Sequence, residues 1–101
     1  MSLRGDLMKA ARSLRIVVHG RVQGVGYRAW LADAAGRLGL RGWVRNRRDG
    51  TVEALLHADE ATLETLIDAC RRGPPAALVR DIERFEAAGT PPEDFEVRPT
   101  A

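Results

Sequence analysis

Along residues 14–20, Leu14, Ile16 and Val18 fall on one side of the chain and Arg15, Val17 and His19 on the other. That period of two, rich in β-branched residues, predicts a strand. Residues 21–27 hold two glycines and read as a loop. From Arg28 on, Leu31, Ala34, Ala35 and Leu38 recur at helical spacing and Gly39 follows as a stop, which predicts a helix over 28–38. Residues 40–47 read as a second strand, and Asp49-Gly50 is a hairpin-turn signal. Residues 51–57 read as a third strand, with Val52, Ala54 and Leu56 on one face. Asp59 is a candidate N-cap for a second helix. Its apolar stripe is Leu63, Leu66, Ile67 and Cys70, and Gly73-Pro74-Pro75 ends it. Residues 77–87 predict a fourth strand with a bulge, and residues 95–98 a short last one. Residues 1–12 show no periodicity and read as a loose N-terminal extension, with Met8 a second possible start. One domain is left over 13–101.

The order βαββαβ plus a short C-terminal strand predicts an α+β, ferredoxin-like split β-α-β fold: an antiparallel sheet with two helices on one face. In that topology the first two strands are parallel, with the third between them. Their C-terminal ends then share one sheet edge, roughly 9–10 Å apart. The glycine loop follows one of those ends, and Asn46 lies near the other.

Composition narrows the class. Hydrophobic residues make up 45% of 101 and charged residues 30%, which excludes wholesale disorder. No apolar run nears the roughly 18 residues of a membrane helix. The start has no stretch of signal-peptide length, so a cytoplasmic protein is expected. The one cysteine, Cys70, excludes an internal disulfide, and with His19 and His57 it builds no zinc pattern. Net charge is only +2, but every basic residue except Lys9 is arginine. Arginine suits phosphate, and it is equally what a GC-rich genome uses for surface charge, so composition alone does not imply nucleic acid.

The loop carries chemistry. Gly24 and Gly26 can take positive φ and turn successive N–H groups inward as an anion nest. A helix start adds unpaired N–H donors and partial positive charge, and Arg28 adds a guanidinium that can fork onto two phosphate oxygens. The plainer reading is a glycine turn before a helix with a solvated arginine. Asn46 is likewise open: it could begin the hairpin turn through its side chain, or hold a water, having both a donor and an acceptor.

Together these segments resemble a known family. Val18-His19-Gly20-Arg21-Val22-Gln23-Gly24-Val25-Gly26-Tyr27-Arg28 looks like the first acylphosphatase signature, and Gly42-Trp43-Val44-Arg45-Asn46 followed by Gly50 and Val52 looks like the second. The resemblance spans residues 14–98. Tyr27 stands where the pattern usually has Phe, and its hydroxyl then needs a partner. Ala58 stands where the second signature usually ends in Gly, a strain of about a kilocalorie if that turn needs positive φ. The resemblance implies hydrolysis of acyl phosphates to carboxylate and phosphate, without metal or cofactor. It implies that Arg28 binds phosphate, that Asn46 orients the attacking water, and that the backbone N–H groups of Gln23, Gly24, Val25, Gly26, Tyr27 and Arg28 cradle the phosphate. It implies no nucleic acid and no membrane partner, and a monomer is the default.

Other residues read as structural. His19 and His57 read as surface or strand-end residues and Cys70 as a buried thiol. Trp30 and Trp43 read as packing rather than an acyl pocket, and Arg45, Arg47 and Arg48 as a solvated hairpin face. Two alternatives stand beside the free-standing enzyme. One is the acylphosphatase-like domain of a carbamoyl-transferring hydrogenase maturation factor, a much longer chain than one ending at Ala101. The other is an RNA-binding module of the same topology, which would need an aromatic sheet face; the two motif strands supply only Trp43 there.

Overall fold

The structure is a computed structural model and describes residues 10–101. Its elements are β1 (Ala11–Arg21), α1 (Tyr27–Arg37), β2 (Arg41–Asn46), β3 (Val52–Asp59), α2 (Glu60–Cys70), β4 (Leu78–Glu86) and β5 (Phe95–Val97). The sheet order is β4-β1-β3-β2-β5. β3 runs antiparallel to both β1 and β2, so β1 and β2 are parallel, as the ferredoxin-like reading requires. One pairing departs from an all-antiparallel sheet: β5 lies parallel to β2, with Gly42 opposite Phe95.

The core forms where the alternating faces meet the helical stripes. Leu14, Ile16 and Val18 of β1, Val44 of β2, and Val52, Ala54 and Leu56 of β3 pack against Leu31 and Ala35 of α1 and Leu63, Leu66, Ile67 and Cys70 of α2. Asp59 caps α2 as its sequence position implies, its carboxylate accepting from the Thr62 N–H at 2.7 Å. The bulge lies in β4: His19 faces Asp81 and Gly20 faces Val79, so Arg80 has no opposite residue.

Three expectations need correction. Ala11 and Arg12, read with the N-terminal extension, pair with Asp59 and Ala58 in the sheet; residues 1–9 lie outside the described residues. Ala58 sits in that ladder without positive φ, so the strain foreseen for the missing glycine does not arise. Arg45 is not simply solvated. It and Arg15 clamp the buried Glu53 carboxylate at 2.8 and 2.9 Å on the outer sheet face. The same guanidiniums stack on aromatics, Arg15 over Phe85 and Arg45 over Trp43, with Arg98 also over Trp43. Paired and stacked in this way, the arginines cover the outer face instead of leaving it bare.

Tyr27 joins the two helices. Its ring is buried and its hydroxyl donates to the Cys70 carbonyl at 2.6 Å, a group at the end of α2 that is otherwise unpaired among the described residues. Burial pushes the Tyr27 hydroxyl well above its ordinary pKa and the Cys70 thiol up to about 12, so both stay neutral. Gly73 lies against the ring at φ +64°, where a Cβ would come 2.6 Å from Tyr27 Cε2. Gly73→Ala is therefore expected to destabilise the protein by about 1–3 kcal/mol. Urea unfolding of the variant beside the parent checks this; an unchanged midpoint would show that the ring can yield.

Candidate active site

The first glycine loop leaves the end of β1, and α1 begins within it. Gly24 and Gly26 take φ values of +73° and +78°, the conformation foreseen for an anion nest. Gly26 is the α1 N-cap, with no side-chain cap bond and no acidic residue in the first turn. The first N–H groups of α1 are thus left to a ligand or water at the positive end of the helix dipole. The Trp30 N–H closes the first helical bond onto the Gly26 carbonyl at 3.0 Å.

Arg28, one residue into α1, is half-buried. Its Nη1 donates a long hydrogen bond, 3.3 Å, to the Arg98 carbonyl just beyond β5. That single bond leaves most of the guanidinium's donors for an anion.

Asn46 ends β2, opposite Val52. Among the described residues no hydrogen bond engages its side chain, while its backbone carbonyl accepts from the Ala101 N–H at 3.0 Å. Within the hairpin itself the side-chain bonds come from Asp49, whose carboxylate accepts from the Thr51 N–H at 3.0 Å and hydroxyl at 2.6 Å. Those bonds, the hydroxyl's first, hold the Asp49 carboxyl below its ordinary pKa. The turn role weighed for Asn46 therefore belongs to Asp49, and the Asn46 amide is left for something outside the protein.

One cleft of about 320 Å³ is lined by Val22, Gln23, Gly24, Gly26, Tyr27, Arg28, Ala29, Asn46 and Val97. It gathers Arg28, Asn46 and every named loop residue except Val25, whose side chain packs on the core. Trp30 tilts against Tyr27, with centroids 5.5 Å apart, and neither it nor Trp43 lines the cleft. Sequence reasoning missed Val97 and the Arg98 carbonyl. Both arrive through the parallel β2–β5 pairing, which has no local signal in a three-residue strand.

The acylphosphatase family profile matches residues 14–97. The chain belongs to the acylphosphatase family. It is 47% identical over 89 residues to an acylphosphatase of Rhodospirillum rubrum, covering 88% of this chain and 98% of that one. Among solved structures, the acylphosphatase of Bacillus subtilis superposes with a TM-score of 0.82 at 37% identity, over 88% of this chain and 99% of the other. HypF of T. kodakarensis matches 90% of this chain at 32% identity and a TM-score of 0.75, through only 12% of its own length. An acylphosphatase-like unit thus also occurs as a small part of a long protein.

Of the residues that carry the resemblance, Val22, Gln23, Gly24, Gly26, Tyr27, Arg28 and Asn46 line the cleft. Tyr27, the departure from the usual Phe, has found a partner for its hydroxyl. Among the described residues no cluster of His, Cys, Asp and Glu could hold a metal ion, and no helix is long and apolar enough to cross a membrane. If the loop is an anion nest, inorganic phosphate should bind in the millimolar range and shift the amide NMR signals of Gly24, Gly26 and Arg28 before others. Shifts confined to the Arg47 and Arg48 hairpin would place the anion elsewhere.

Proposed function

We propose that this chain hydrolyses acyl phosphates to a carboxylate and inorganic phosphate, with the phosphoryl group held by Arg28 and the loop N–H groups of residues 23–28 and the water held by Asn46. The supporting observation is the convergence of three elements in one cleft: a helix N-terminus opened by two left-handed glycines, a guanidinium with free donors, and an asparagine amide that the protein leaves unengaged. The phosphoryl oxygens meet the N–H groups and the guanidinium fork. The Asn46 carbonyl oxygen accepts from a water and its NH₂ steadies the same water, so one lone pair faces phosphorus.

The water oxygen forms a bond to phosphorus as the bond to the acyl oxygen breaks, and the carboxylate leaves with that electron pair. The water's proton passes to a phosphoryl oxygen of the substrate. A carboxylate is a good leaving group, so positioning and charge stabilisation carry the rate, and neither a strong base nor a metal is required. The substrate is a small acyl phosphate, and Val22, Ala29 and Val97 offer its acyl group an apolar wall.

Two side chains with different duties should fail differently. Arg28→Ala should weaken phosphate binding and slow turnover, and Arg28→Lys should not rescue it, since an ammonium cannot fork onto two oxygens. Asn46→Ala should leave phosphate affinity nearly intact while kcat with benzoyl phosphate falls by two or more orders of magnitude, about 3 kcal/mol. Phosphate titration, steady-state kinetics and thermal melting of each variant make the comparison. A folded Asn46→Ala with near-parental kcat removes asparagine from the mechanism. The parent enzyme is also expected to keep its activity in excess EDTA; a loss that magnesium reverses would assign the positive field to a metal instead.

A further inference from the structure

Gln23 is part of the phosphate loop through its backbone, but its side chain reaches across to the β2–β3 hairpin. Its amide nitrogen donates to the Arg47 carbonyl at 2.7 Å and to the Thr51 carbonyl at 2.9 Å. Two carbonyl acceptors require two N–H donors, and the amide nitrogen supplies both, which fixes its orientation. These acceptors close the turn itself: the Arg47 N–H donates to the Thr51 carbonyl at 2.9 Å, and the Gly50 N–H to the Arg47 carbonyl at 3.1 Å. The clamp therefore grips the hairpin one residue from Asn46.

The sheet cannot make this connection. β3 separates β1 from β2, so the loop after β1 and Asn46 at the end of β2 face each other across two strand spacings. Among the described residues no other hydrogen bond joins residues 22–28 to residues 46–51. The Arg28–Arg98 and Ala101–Asn46 bonds lead each half of the site to the C-terminal segment, not to the other half.

We propose that the Gln23 side chain is a positioning residue for hydrolysis: by tying the phosphate loop to the hairpin, it sets where the water on Asn46 stands relative to phosphorus. The inference rests on the functional reading above. Gln23 touches neither water nor phosphoryl group with this amide, and its effect must pass through Asn46. Displacing a reacting group by about 1 Å costs on the order of 100-fold in rate, so a slack clamp has a measurable consequence.

Gln23→Met keeps the length of the side chain and removes both donors. With benzoyl phosphate, kcat is expected to fall roughly 10- to 100-fold, with inorganic phosphate affinity kept within about two-fold. In an Asn46→Ala background the same substitution should change kcat by less than about two-fold, because the group it positions is gone. Gln23→Glu covers the case in which Gln23→Met does not fold. Ionised, it turns a carboxylate on two carbonyls; protonated, it regains one donor, so its activity relative to the parent should rise as pH falls.

Three results would overturn the inference: a folded Gln23→Met with parental kcat, losses that multiply with those of Asn46→Ala, or a Gln23→Glu activity ratio that is flat with pH. A parent chain that does not turn over benzoyl phosphate, or an Asn46→Ala as active as the parent, would instead overturn the functional reading and this inference with it.

Discussion

Everything at the cleft depends on β3 lying antiparallel between β1 and β2. A strand inserted in that sense forces its two neighbours to be parallel, and parallel strands end at the same sheet edge. That constraint brings the loop that opens α1 and the asparagine that closes β2 to the same end of the sheet. What holds the order is the inner face of the sheet. Ile16 and Val44 both stand opposite Ala54 in the buried layer, so a one-residue slip of β3 would turn that whole row towards solvent. The placement of these two chain ends is thus as secure as the core, although the side chains they carry stand at the surface.

The two halves of the site are built by different means. The proposed anion half sets the Arg28 guanidinium beside backbone: left-handed glycines and the start of a helix, whose N–H donors cannot rotate away and need no reorganisation when charge arrives. It is anchored from behind by Tyr27, the residue beside Arg28, whose hydroxyl is fixed to the end of α2. The proposed water half is the Asn46 side chain, which makes no hydrogen bond among the described residues while Asp49 supplies the hairpin's own side-chain bonds. An asparagine also bonded to its own turn could not present both amide atoms to a water.

Much of this was legible in the residue order because the signals are local or periodic. Alternation in residues 14–20 and 51–57 gave the central strands, the stripe from Leu63 to Cys70 gave α2, and Asp59 gave its cap. Gly24, Gly26, Arg28 and Asn46 each also fit a plain turn, helix start or strand end; only the two motifs taken together, through their resemblance to a family, single them out as candidate chemistry. Long-range pairings were not readable. The parallel placement of β5 on β2, which brings Val97 to the cleft and the Arg98 carbonyl to Arg28, depends on three residues with no periodicity to detect. The Glu53 clamp was missed for a related reason: a glutamate and two arginines on an outward parity look solvated until the strands are laid side by side. The start of β1 has no local signal either: Ala11 and Arg12 carry no apolar alternation and are held by their partners Asp59 and Ala58.

In the proposed reaction the cleft grips the phosphoryl group and delivers water to phosphorus, not to the acyl carbon. Hydrolysis of benzoyl phosphate by the purified chain in oxygen-18 water tests this directly, because the label marks the atom that was attacked. Mass spectrometry of the products from early turnover should find one labelled oxygen in inorganic phosphate and none in benzoate. Label in benzoate would mean attack at the carbonyl carbon, and the assignment of Arg28, the glycine loop and Asn46 to a phosphoryl group and its water would be contradicted.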